Sequence, residues 1–73
     1  MDNKRFLQIL RRIPLTPYED VGAVIGFDDI YVTLTPYGEV KESIEWRIRE
    51  LERAGKLEVF RANSVIYAVR LLP

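Results

Sequence analysis

The sequence predicts one α+β domain: three helices, a C-terminal β-hairpin and one extra short strand. Three observations predict it. Phe6, Ile9, Leu10 and Ile13 recur at helical spacing near the start. A long charged stretch, residues 36–54, carries a narrow apolar stripe and runs into Gly55-Lys56. Two β-rich runs follow, 57–61 and 65–71, separated by Ala62-Asn63-Ser64, which is a hairpin pattern. A chain of 73 residues fits one domain.

The first helix is expected over residues 3–13, because Pro14 stops it. Lys4, Arg5, Gln8, Arg11 and Arg12 fall outside its apolar stripe. The next segment contains a short echo: Leu15-Thr-Pro-Tyr-Glu-Asp-Val returns at residue 34 as Leu-Thr-Pro-Tyr-Gly-Glu-Val. Thr followed by Pro is a helix start, with Thr as cap and Pro at the first position. In the first copy Glu19 stands three residues after Thr16 and completes a capping box. A second helix is therefore expected over residues 17–25, ending at Gly26. Asp28-Asp29 reads as a turn, since Asp bonds nearby backbone. Ile30, Val32 and Leu34 alternate with Tyr31 and Thr33, which reads as a strand over 30–34. Val-Gly-Ala-Val-Ile is also a plausible strand, so residues 17–34 are open to a second reading as a hairpin. The third helix starts at the second Thr-Pro, where Gly38 replaces the capping Glu. Val40, Ile44, Ile48 and Leu51 form its core face, with Tyr37 and Ala54 beside them.

Composition narrows the function. There is no Cys and no His, so disulfides, thiolate metal sites, the commonest zinc ligand and the commonest general base are all missing. No Gly-rich phosphate loop, nucleophile–base pair or metal-ligand spacing occurs. No enzyme, no cofactor and no metal are expected. No apolar run approaches the length of a membrane span, and the opening Met-Asp-Asn-Lys-Arg leads into no apolar stretch of a secretory signal. The expected compartment is the cytoplasm. Net charge is zero, with eleven basic and eleven acidic residues. Both ends are basic, and residues 13–39 carry Glu19, Asp20, Asp28, Asp29 and Glu39 with no basic residue.

The run Ser43-Ile44-Glu45-Trp46-Arg47-Ile48-Arg49-Glu50-Leu51-Glu52-Arg53-Ala54-Gly55-Lys56-Leu57, followed by the hairpin, resembles the end of winged helix-turn-helix domains. Small archaeal and viral transcription regulators look similar. The resemblance implies a winged-helix-like fold whose third helix enters the major groove of double-stranded DNA, with the hairpin as wing. One departure stands out. The family joins its second and third helices by a tight turn, whereas about ten residues and a strand are expected here.

Carried over residue by residue, the resemblance puts DNA contacts at Lys41, Ser43, Trp46, Arg47 and Arg49 on the helix. Arg61 and Asn63 supply them on the wing. Arg would read guanine or phosphate and Ser43 would bond phosphate. Trp46, the only Trp, lies on the outward side of the helix with Glu42, Arg49 and Arg53. With Arg53 it is an interface candidate, because Trp and Arg anchor contacts. A bland reading stands beside each of these: a self-paired solvated face (Glu45–Arg49, Glu52–Lys56), a Trp packed under a neighbouring segment, a wing Arg serving solubility. A homodimer is expected, since a small reader gains a second half-site by pairing. The rival is a protein-interaction module on the same fold, favoured by zero net charge and by Glu39, Glu42 and Glu45 near the start of the helix.

Overall fold

A computed structural model describes all 73 residues. The order is α1 (Asn3–Leu10), β1 (Thr16–Tyr18), β2 (Gly22–Gly26), α2 (Phe27–Leu34), a 3-10 turn (Thr35–Tyr37), α3 (Lys41–Arg53), β3 (Leu57–Ala62) and β4 (Val65–Leu71). The strands form one antiparallel sheet in the order β1-β2-β4-β3. The fold is α+β and winged-helix-like, with three helices and a C-terminal hairpin. It has two strands besides that hairpin, one more than the sequence predicts.

Asp2 caps α1: its Oδ1 accepts from the Arg5 N–H at 2.8 Å. Phe6, Ile9 and Leu10 are buried. The regular helix ends at Leu10 and not at Ile13. The next residues tighten into i→i+3 bonds, and Ile13 still reaches the core.

Residues 16–34 exchange the expected helix and strand. The expected second helix is the hairpin β1–β2, with Thr16 opposite Val24 and Tyr18 opposite Gly22. Gly22 sits at φ +82, a left-handed conformation that a helix interior forbids. β2 lies between β1 and β4, and Val24, Ile25 and Gly26 are all buried. Burial on both faces erases the alternation that marks a half-exposed strand.

The expected strand at 30–34 lies within α2. Ile30 and Leu34 are four apart, so they share one helical face, and both are fully buried. Val32, which completes the apparent alternation, is 70% exposed. Asp28 and Asp29 occupy the first turn of α2, where carboxylates favour the helix dipole. They are helical, not a free-standing turn.

α3 begins at Lys41, five residues later than predicted. The second Thr-Pro-Tyr makes a single 3-10 turn, and Gly38 at φ +84 breaks it. Val40 is the extended N-cap residue and is exposed, as are Tyr37 and Ala54, so none of these three joins the core. Ile44, Ile48 and Leu51 do. The helix ends in a Schellman arrangement: Lys56 N–H bonds Leu51 O, Gly55 N–H bonds Glu52 O, and Gly55 takes φ +75. α2 and α3 are thus joined by residues 35–40 with no strand between them. Six residues join them where about ten, with a strand, are expected from the sequence.

The C-terminal hairpin matches its predicted bounds to within one residue. Arg61 pairs with Ile66 and Ala62 with Val65, leaving a two-residue turn. Both turn residues have positive φ, Asn63 at 52 and Ser64 at 67, as in a type I′ turn. Such turns favour Gly at the second position, so Ser64→Gly should stabilise the domain by about 0.5–1 kcal/mol. That raises the melting temperature by roughly 2–8 °C in a chain this size. A melting temperature unchanged or lowered would show that the turn is not strained.

Thirteen buried side chains from α1, α2, α3 and the sheet form one core, from Phe6 to Val69. No side-chain polar atom is buried without a partner. The core holds α3 so that the side opposite Ile44, Ile48 and Leu51 is free of the rest of the chain.

Candidate functional site

The outward side of α3 carries Glu42, Trp46, Arg49 and Arg53, all exposed; Lys41, also exposed, stands at the start of the helix beside its core stripe and not on that side. Trp46 is 55% exposed, so it does not pack under the N-terminal segment or the hairpin. Lys41 and Arg49 make no ion pair. Arg53 donates to Glu50 at 2.8 Å but remains 76% exposed. Its partner stands three residues earlier on α3.

The other predicted contacts are placed differently. Arg47 points to the N-terminal side of α3. Its Nε donates to Glu39 Oε1 at 3.0 Å and its Nη1 to Asn3 Oδ1 at 3.4 Å. The two side chains of the ion pair are only 16% and 12% exposed. Ser43 serves the start of the helix: its Oγ accepts from Val40 N–H at 3.0 Å and stands 3.1 Å from Glu39 Oε1. Arg61 leans from β3 onto α3, where Nη1 and Nη2 donate to the two oxygens of Glu52 at 2.9 and 2.8 Å. This fork–fork geometry is the strong form of the pair. The expected i,i+4 pairs Glu45–Arg49 and Glu52–Lys56 do not form. Asn63, at the wing turn, is exposed and left-handed.

These contacts set the local electrostatics. Burial works against the charged form of Glu39. The hydrogen bonds from Arg47 and Ser43, with the Arg47 charge, outweigh it and hold the carboxyl below its ordinary value of 4.5. The Arg61 hydrogen bond does the same for Glu52, and Glu52 in turn raises Arg61. A depressed folded value means that Glu39 stabilises the fold fully above its ordinary value. That contribution is lost as pH falls through the folded value. Glu39→Gln should cost about 1–2 kcal/mol at pH 7, leaving Arg47 without its anion. Urea unfolding at pH 7 and pH 3 checks this: the gap between variant and wild type should narrow at the lower pH. A gap that does not narrow would show that charge is not what Glu39 contributes.

A groove of about 390 Å³ lies between α2 and β4, with β1 and the start of α3 at its edges. Tyr18, Phe27, Tyr31, Lys41, Val65 and Tyr67 line it. The Tyr18 and Tyr67 ring centroids are 5.8 Å apart, and Tyr67 Oη donates to Asp20 at 2.7 Å. That bond to a carboxylate raises the Tyr67 hydroxyl above its ordinary value. Sequence reasoning does not find this groove. Its residues come from β1, α2, α3 and β4, and no local spacing links them.

A further surface shows in the sequence only as charge. Lys4, Arg5, Gln8, Arg11 and Arg12 are all exposed along α1 and the turn after it, and none forms an ion pair. No group of three or more His, Cys, Asp or Glu side chains is arranged to hold a metal ion. No helix is long and apolar enough to cross a membrane. Comparison with protein-family models, with curated proteins and with solved structures finds no match.

Proposed function

We propose that this domain binds double-stranded DNA as a winged-helix regulator in the cytoplasm, with α3 in the major groove and the β3–β4 turn beside it. The observation that carries the reading is the open face of α3. It presents Trp46 and Arg49, with Lys41 at the start of the helix and the hairpin as wing, on a helix joined to α2 by a short connection. Lys41 and Arg49 are free to meet phosphate or guanine, and Trp46 offers an apolar surface to base edges and thymine methyls. Asn63 contributes a polar contact at the wing turn. Arg47, Ser43 and Arg61 act behind this face. They hold the start of α3 and the wing in place through Glu39 and Glu52. Two domains acting as a homodimer would reach two half-sites. No catalysis is part of this reading.

The test is a mobility-shift assay on a pool of random duplexes at about 50 mM salt, where phosphate contacts are strongest. Wild type should shift the pool, and Arg49→Ala should weaken binding roughly tenfold, in line with about 1–3 kcal/mol for one Arg–base contact. Absence of any wild-type shift would overturn the reading.

Three observations favour a second reading, a protein-interaction module on the same fold. Arg47 and Arg61 are neutralised within the domain, the net charge is zero, and the largest exposed side chain of α3 is an indole. Such a face suits a protein partner, with Trp46 as its anchor and Arg53 beside it. A domain that fails to shift duplex but assembles or captures a partner through Trp46 would fit this second reading.

A further inference from the structure

We infer that the outward side of α1 is a second contact surface for the phosphate backbone of the duplex that α3 holds; this rests on the DNA-binding reading above. Lys4, Arg5, Gln8 and the C-cap Arg11 follow the spacing i, i+1, i+4, i+7, which places them on one side of the helix, and Arg12 follows in the turn just after it. The unpaired basic side chains of the domain are Lys4, Arg5, Arg11, Arg12, Lys41, Arg49 and Lys56, and four of these seven lie on this one surface. Asp2 is the only acidic residue before Glu19, and its carboxylate is engaged as the α1 cap. The surface is therefore uniformly cationic, unlike the mixed face of α3.

Two further observations point outward from the helix. The first turn of α1 contains no acidic residue and begins Asn-Lys-Arg. Cations there oppose the helix dipole, so Lys4 and Arg5 do not serve the stability of α1. The start of α1 is also in contact with α3, through Arg47. Asn3 Oδ1 accepts from Arg47 on α3 at 3.4 Å, so the start of α1 lies against that helix. From Lys4 to Arg11 the helix advances about 10 Å, roughly the axial rise of three phosphate steps along one strand. The uniform positive charge of this surface matches a polyphosphate, which needs no side-chain geometry beyond charge.

The salt dependence of duplex binding tests this. Removing one cation that meets a phosphate should lower the slope of log affinity against log salt by about 0.9. Arg11→Ala/Arg12→Ala together should lower it by nearly two and weaken binding at least tenfold at about 0.1 M salt. Lys4→Ala/Arg5→Ala should act similarly, Gln8→Ala should not, and Arg11→Lys/Arg12→Lys should restore the slope. Melting curves confirm that each variant is folded. If wild type binds duplex but both paired variants keep its affinity and slope, the α1 surface does not meet DNA, while the DNA-binding reading survives. If wild type binds no duplex, both fall. Binding instead to polyglutamate through Arg11 and Arg12 would then mark α1 as a surface for acidic proteins.

Discussion

Trp46→Ala is expected to weaken duplex binding by roughly 30-fold or more while leaving the fold intact, the signature of an interface anchor worth about 2 kcal/mol. The core-facing side of α3 is filled by Ile44, Ile48 and Leu51, each at most 3% exposed. Trp46 stands opposite them at 55% exposure, among Glu42, Arg49 and Arg53. Truncating it removes little intramolecular packing. Ala is also the better helix former by a few tenths of a kcal/mol, which offsets that loss. Monomer stability should stay within about 0.5 kcal/mol of wild type. The paired measurement is thermal unfolding and duplex affinity, with mass by sedimentation to follow self-association. A large loss of stability with no change in binding or assembly would make Trp46 a core residue and reverse the orientation of α3.

Phe6→Ala should have the opposite profile. Phe6 is 0% exposed and joins α1 to a core shared with α2, α3 and the sheet. Removing a buried Phe side chain costs about 3–5 kcal/mol, part transfer and part cavity. A domain of this length has only about 4–11 kcal/mol to lose. The variant should therefore be extensively destabilised, with urea unfolding at a much lower midpoint and poor recovery at 37 °C. A midpoint near wild type would mean that α1 is a detachable appendage, and its cationic surface would then have no fixed position beside α3.

Some of this is legible in the residues. The C-terminal hairpin needs only two β-rich runs and a polar turn, and both lie next to each other in sequence. The stop of α3 at Gly55 follows from glycine's access to the left-handed conformation that a Schellman end requires. The outward placement of Trp46 follows from its angle to Ile44 and Ile48.

The illegible part lies between residues 14 and 40. Thr-Pro-Tyr occurs twice and forms a strand at 16–18 and a 3-10 turn at 35–37. The tripeptide's own preference is too weak to decide, and tertiary pairing with Gly22–Val24 decides it for the first copy. The pattern Ile30-Val32-Leu34 fits both alternation and an i,i+4 pair, and five residues are too few to separate the two. The ion pairs are hidden for another reason. Glu39–Arg47 and Glu52–Arg61 join residues eight and nine apart, across a helix start and across the α3–β3 connection. A helix wheel offers only partners at three or four, so from sequence Arg47 and Arg61 look available for phosphate.

If α3 and the wing turn form the face that meets duplex DNA, titration of 15N-labelled wild-type protein with duplex, followed by amide shifts, shows it most directly. The largest changes should fall on Glu42, Glu45, Trp46, Arg49 and the Asn63–Ser64 turn, with the indole N–H of Trp46 among them. No shift at any duplex concentration, or shifts confined to β1 and the Tyr18–Tyr67 groove, would contradict that placement.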